Sequence, residues 1–168
     1  KWEGKTYKEL SENISKVIYF FKKRGVRSGD RILLISDNRI EWFIFDIAIM
    51  SLGAITVPCF STNNVTDNKF IIEDCEPKLI IIENIEIYEK NVNIFKKIKN
   101  KLLIIEGSNK KNFDSYHEII TDQNRKYSIN KYIKKKDISS IIYTSGTSGK
   151  PKGVMLSHSS IIHNCYAA

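Results

Sequence analysis

Short runs built almost entirely from branched aliphatic residues constrain this chain more than any other feature. Residues 32–35 read ILLI, residues 79–82 read LIII and residues 102–105 read LLII. A strand with one wet face alternates apolar and polar residues, so an unbroken run of this length marks a strand buried on both faces. Such strands belong to parallel sheets covered on each side by helices. The segments between the runs supply those helices. Leu10, Ile14, Val17, Ile18 and Phe21 recur at helical spacing, as one apolar face requires. The fold class that follows is α/β, a mostly parallel sheet flanked by helices.

Element limits follow from local chemistry. Thr6 to Glu9 is a capping-box pattern that starts the first helix. Strands are expected at residues 31–36, 54–58, 79–83, 102–105 and 138–143. Helices are expected at about 39–52, 66–74 and 85–98, with a last one beginning near Ser157. Between residues 106 and 136 charged and Asn-rich stretches surround one short apolar-periodic piece at 116–120, which predicts a surface connection with a little helix. No internal repeat or second domain boundary is evident.

With 168 residues, 42% of them hydrophobic, the chain can fill the core of one ordinary domain. Its formal net charge is +8, which concentrates anions of several kinds and selects none of them. Much of that charge is Lys among Asn and Ile, as at residues 96–101. It lacks the aromatic interleaving on which bases stack, so a solvated surface is expected and nucleic acid is not. Cys59, Cys75 and Cys165 are few, odd in number and widely spaced, which argues against a disulfide framework and for a reducing, cytoplasmic compartment. The opening residues are polar and show no secretory signal. Because the first residue is Lys rather than Met, a fragment is expected. The apolar stretch at 42–60 contains Asp46, Gly53 and Pro58, so a buried helix and strand are expected there rather than a membrane span.

Chemistry concentrates between Thr144 and Gly153, where no large apolar side chain occurs. With nothing to bury, this segment is expected to be a mobile loop unless a ligand orders it. Gly146, Gly149 and Gly153 permit close backbone approach, and Thr144, Ser145, Thr147 and Ser148 add four hydroxyls. Lys150 and Lys152 add charge, and Pro151 biases Lys150 toward an extended backbone. Such a composition suits an oxyanion. A strand running into it places it at the carboxyl edge of a parallel sheet, where ligand crevices form. It is not a Walker A loop, because Thr144 and Pro151 stand where that pattern needs Gly and Ser or Thr. A Gly- and Ser-rich connection can also be only a flexible linker.

The order of residues from Tyr143 to Gly153, YTSGTSGKPKG, continued by VMLSH to His158, resembles the phosphate-binding signature of the adenylate-forming enzymes. That group includes acyl-CoA synthetases, luciferases and peptide-synthetase adenylation domains. Residues 6–10 (TYKEL) and 52–58 (LGAITVP) look like the first two core motifs of the same family, so the resemblance spans nearly the whole chain. Residues 36–42 (SDNRIEW) and 59–63 (CFSTN) look most like long-chain fatty acyl-CoA synthetases. Ser148 departs from the usual Thr and keeps the hydroxyl.

The resemblance implies that residues 1–168 are the N-terminal subdomain fragment of an AMP-binding domain, ending just after the phosphate-binding loop at 144–153. It implies a fatty acid–CoA ligase reaction. A fatty carboxylate attacks the α-phosphate of Mg-ATP and releases pyrophosphate; the thiol of CoA then displaces AMP from the acyl-adenylate. Thr144, Ser145, Gly146, Thr147, Ser148, Gly149, Lys150, Lys152 and Gly153 would hold ATP phosphates. The Mg2+ ligand, the acyl tunnel and the catalytic residues would lie beyond Ala168, so the fragment is expected to be inactive alone. A ligase for another carboxylate and a noncatalytic basic binding module remain alternatives. Peripheral membrane association and self-association through uncovered apolar surface are further expectations. His158, His163 and Cys165 match no common zinc spacing, and His117 is a lone His with no evident partner. Asp37 and Glu41 suit the start of a helix, and Asp46 needs a partner or an exposed face.

Overall fold

The computed structural model describes residues 4–107, 113–122, 132–145 and 151–167. The first helix, α1 (Tyr7–Lys23), begins with the expected capping box: Glu9 Oε2 accepts from the Thr6 N–H at 2.7 Å, and the Glu9 N–H donates to Thr6 Oγ1 at 3.2 Å. Then follow β1 (Arg31–Ile35), α2 (Ile40–Ser51), β2 (Ile55–Cys59), α3 (Val65–Cys75), β3 (Leu79–Ile82), α4 (Ile85–Lys90), α5 (Val92–Phe95) and β4 (Leu102–Ile104). The two-residue β5 (Asp114–Ser115) leads directly into α6 (Tyr116–Thr121). The last elements are β6 (Ile138–Ser145), β7 (Pro151–Ser157) and α7 (His158–Ala167).

The sheet runs in the order β5-β4-β3-β1-β2-β6-β7, and every neighbouring pair is parallel except β6 with β7. Period-two geometry divides the apolar runs between two cores. Ile32, Leu34, Leu79, Ile81 and Leu103 face a core shared with α1, α2 and α6. Leu33, Ile35, Ile80, Ile82 and Ile104 face one shared with α3, α4 and α5. Ile32 to Ile35 are all 0% exposed. Each such side chain contributes about 1.5–3 kcal/mol by leaving water. This explains why the apolar runs, rather than local propensity, set the architecture.

Two expectations need correction. The single helix expected at 85–98 is instead α4, α5 and a 3-10 turn at Lys96–Lys101. The break falls at buried Asn91, whose side chain donates to the Ile87 carbonyl at 2.9 Å and accepts from Asn68 Nδ2 at 3.1 Å. An Asn that bonds to nearby backbone in this way competes with the helical ladder. The second correction concerns residues 113–122, which do not merely run over the surface. Phe113 packs on Tyr88 at 4.9 Å between ring centroids and Tyr116 on Phe45 at 5.5 Å, with Ile119 also buried. Three apolar anchors in a polar stretch suffice to seat β5 and α6 on the sheet edge.

Gly53 closes the turn from α2 into β2 with φ of +73°, and a Cβ there would lie 2.8 Å from Ser28 Oγ. Only glycine fits this backbone without strain. Among the described residues no helix is long and apolar enough to cross a membrane.

Candidate phosphate-binding site

β6 enters the sheet beside β2, with Ser140 paired to Thr56, and an irregularity between Ile138 and Ser140. Ser139 is buried and its hydroxyl donates to the Leu156 carbonyl at 3.0 Å. The strand continues two residues past its expected end, and β7 returns antiparallel beside it. The pairs are Thr144 with Lys152, Tyr143 with Gly153 and Ser145 with Pro151. The expected loop at 144–153 is therefore too long: Thr144, Ser145, Lys152 and Gly153 are strand residues. Backbone ladder bonds need no apolar side chain, which is why composition alone overestimated the loop. Gly146, Thr147, Ser148, Gly149 and Lys150 lie outside the described residues.

Gly153 serves close approach rather than an unusual backbone. Its φ is not positive. A Cβ added to it would stand 2.9 Å from Ile141 Cγ2 and 3.2 Å from Tyr143 Cζ. The residue is small because the Tyr143 ring lies beside it. Tyr143 is a site residue that sequence reasoning missed. Its hydroxyl donates to the Asp74 carboxylate, and its ring meets Phe70 edge-on at 6.5 Å. Burial, followed by the bond to Asp74, raises the phenol above its ordinary range, so it stays a neutral donor. The signal available in sequence was an aromatic residue immediately before the Gly- and Ser-rich stretch. Pro151 opens the edge strand β7, a position that tolerates a missing N–H.

Thr144 and Ser145 reach the mouth of a cleft of about 410 Å3 at the carboxyl edge of the sheet. Pro151 also lines it, together with Ser36 and Asn38 after β1, Trp42 on α2, and Phe60 and Asn63 after β2, the strands next along the sheet. Thr144, Ser145 and Lys152 are exposed. No ion pair ties Lys152 to another described residue. Lys152 does not line the cleft but is the cross-strand partner of Thr144, so two hydroxyls stand in the cleft with an exposed ammonium on the adjoining strand, groups that suit an oxyanion.

The thiol that lines the cleft is not a ready nucleophile. Burial pushes the Cys59 thiol, at the cleft wall, up to about 12 and that of Cys75 up to about 11. Both thiols stay protonated and inert at neutral pH. Asp46 finds the partner it needs, accepting from Thr56 Oγ1 at 2.7 Å, while burial raises its carboxyl. Glu41 pairs with Arg39, and Asp37 accepts from the Ser61 hydroxyl. His163 and Cys165 are exposed on α7, and His117 is exposed on α6. Among the described residues, His158 Nε2 is buried with no hydrogen-bond partner, and no group of three His, Cys, Asp or Glu could hold a metal ion.

A family model described as AMP-binding enzyme matches residues 1–168. The chloroplastic long-chain-fatty-acid–acyl-carrier-protein ligase AEE15 of Arabidopsis thaliana is 31% identical over 180 residues, covering 94% of this chain and 25% of its own length. The long-chain-fatty-acid–CoA ligase FadD15 of Mycobacterium tuberculosis is 28% identical over 175 residues, covering 99% of this chain and 28% of its own. The chain thus spans about a quarter of the length of these relatives. Among solved structures, ATP-bound MatB from Rhodopseudomonas palustris matches with a TM-score of 0.79 at 22% identity, over 95% of this chain and 31% of that one. The luciferase-like enzyme of the mealworm Zophobas morio matches with a TM-score of 0.82 at 20% identity, over 98% of this chain and 39% of that one. At these identities the structural likeness speaks for the fold.

Proposed function

The chain belongs to the AMP-binding enzyme family, and from that premise we propose that the longer protein carrying it activates long-chain fatty acids with ATP and passes the acyl group to CoA. Residues 1–168 form its N-terminal subdomain in this reading, and the segment at 144–153 holds the phosphates. The observation that carries it is the exposed Thr144, Ser145 and Lys152 set at the carboxyl edge of the parallel sheet. The names of the two ligase relatives support the fatty-acid substrate, and they divide between CoA and an acyl-carrier protein as acceptor.

The chemistry asks little covalent work of this chain. A carboxylate oxygen bonds to the α-phosphorus of ATP as the bond to pyrophosphate breaks; the acceptor thiol then bonds to the acyl carbon and AMP leaves. The demand on the hairpin is to fix the β- and γ-phosphates and to neutralise charge on the departing pyrophosphate. Hydroxyls of Thr144 and Ser145 donate to phosphate oxygens, and Lys152 supplies the cation. Tyr143, anchored on Asp74 and Phe70, keeps the strand end in place. A divalent ion, when bound, would further neutralise the phosphate chain; the described residues offer no ligand set for it, and no step here depends on one.

The deciding measurement is acyl-CoA formation by the full-length protein from ATP, CoA and a panel of carboxylates, with Lys152→Ala alongside. Loss of one charge-assisted hydrogen bond of about 1.5–3 kcal/mol predicts a rate lowered roughly ten- to hundred-fold. Activity only with acyl-carrier protein would move the acceptor assignment. Salt-sensitive binding to polyanions without carboxylate-dependent ATP cleavage would favour a basic binding module. The 168-residue chain alone is expected to form no adenylate, and carboxylate-dependent pyrophosphate exchange by it would reverse that statement. A cytoplasmic protein working against the membrane surface, where its fatty acid partitions, completes the proposal.

A further inference from the structure

Behind the cleft, on the side away from Thr144 and Ser145, a set of charged residues joins the carboxyl ends of four strands. Arg39, immediately before α2, engages three carboxylates at once. Its Nε lies 2.7 Å from Glu41 Oε2, one Nη lies 2.6 Å from Glu106 Oε1, and the other lies 3.7 Å from Glu83 Oε1. Its side chain is 21% exposed, and those of Glu41 and Glu83 are 19% and 15% exposed, so these two are not freely solvated pairs of the kind whose net worth is near zero; Glu106, at 55%, is the exposed member. The second oxygen of Glu83 accepts from Ser36 Oγ at 3.0 Å and from the Asp37 N–H at 2.7 Å. Asp37 passes the tie onward by accepting from the Ser61 hydroxyl. Lys90, on α4, donates to the Asn63 carbonyl at 2.7 Å.

The two turns held in this way are those that build the far wall of the cleft. Ser36 and Asn38 belong to the turn between β1 and α2; Phe60 and Asn63 belong to the turn between β2 and α3; all four line the cleft. Arg39 and Glu83 do not line it. Turns at a sheet edge are free to move unless their backbone is tied down. Here the tie comes from side chains that reach across the strand ends. The planar guanidinium suits the task because its fork satisfies several carboxylates in one fixed geometry, which a Lys ammonium cannot do. Each of the four acidic residues, Asp37, Glu41, Glu83 and Glu106, already has a donor in this network. The cluster is therefore spent on internal bonds.

We infer that Arg39 and Glu83 are positioning residues that hold the far wall of the nucleotide cleft at a fixed distance from the hairpin carrying Thr144, Ser145 and Lys152. This rests on the acyl-activating reading for its kinetic consequence. A wall that shifts loses contacts it makes alike with the bound substrate and with its transition state, which raises KM and leaves kcat little changed.

The test uses the full-length protein. Glu83→Ala is expected to raise the KM of ATP, the carboxylate or the thiol by about ten-fold or more, with kcat changed less; which KM rises assigns the wall to that substrate. Glu83→Gln keeps an acceptor for the Asp37 N–H and Ser36 hydroxyl and should fall between wild type and Ala. Arg39→Lys should raise the same KM. Lys69→Ala, on the exposed part of α3, should behave as wild type. Wild-type KM values in both Glu83→Ala and Arg39→Lys, or losses that only follow the folded fraction, would overturn the inference. If the wild type activates no carboxylate, the functional reading fails and the network is judged alone by amide hydrogen exchange. Faster exchange across residues 36–39 and 60–64 in Glu83→Ala than in wild type supports it; equal exchange ends it.

Discussion

The strands β1 and β7 belong to one sheet and meet its demands in opposite ways. In β1, four consecutive aliphatic side chains are 0% exposed, gripped by helices on both faces. In β7, Val154 is 45% and Met155 66% exposed, and α7 behind it has no buried residue. The first strand is held by side chains leaving water, the second by backbone pairing with β6. Stability and chemistry are thereby separated along the sheet. The parallel strands supply a rigid edge, and the lightly packed hairpin presents the hydroxyls and lysine. Groups that must meet a ligand cannot also be buried in a core.

The sharpest way to break this contrast is to damage the packed half. Phe45 is 0% exposed between Phe21 at 6.1 Å and Tyr116 at 5.5 Å. Phe45→Ala should cost about 3–5 kcal/mol in urea denaturation of the 168-residue chain. A loss below about 1 kcal/mol would mean that this core is not what holds the sheet.

The hairpin should respond where its two strands touch most closely. Gly153→Ala forces a methyl against Ile141 and the Tyr143 ring, and overpacking of this kind costs typically about 1–3 kcal/mol. A neutral result would show that β7 shifts freely and that Tyr143 does not set its position. The Lys152→Ala variant should leave stability unchanged, because that side chain makes no described ion pair.

Asp46 lies where α2 meets β2 and links the halves through pH. Burial raises its carboxyl above the ordinary 3.8, so the folded chain holds this proton more tightly than the unfolded one. Its contribution to stability is then greatest below the ordinary value and falls as pH rises from there through the raised folded value. Asp46→Asn keeps an acceptor for Thr56 and removes the titration. Its stability relative to wild type should therefore climb as pH increases above about 4 in parallel denaturation series. A difference independent of pH would mean that the carboxyl titrates alike in both states.

These contrasts also explain what could be read from sequence. The runs at 32–35, 79–82 and 102–105 announced β1, β3 and β4 because burial on both faces leaves one compositional signature. β7 carried no such sign: Pro151, Lys152 and Gly153 are poor strand formers, and its pairing rests on backbone atoms common to every residue. Asn91 broke a helix through its bond to Asn68, a partner that local periodicity cannot identify. At the site, the order of residues in the motif was legible, and so was its place at the carboxyl edge. The anchoring of Tyr143 on Asp74 was not, nor was the hold of Arg39 on Glu83 and Glu106. Each joins residues from separate elements that only the folded sheet brings together.

The smallest effect tests whether the open face of β7 is truly unused. Val154 and Met155 lie on an edge strand and are 45% and 66% exposed. Val154→Ser and Met155→Ser should each change the stability of the chain by no more than about 0.5 kcal/mol, as surface substitutions do. A cost above about 1 kcal/mol that grew with protein concentration would instead show this face covered by a second copy, since association stabilises by mass action. The same cost without concentration dependence would mean that side chains of β7 help hold the hairpin. The separation between a packed scaffold and a backbone-held site would then fail at its weakest strand.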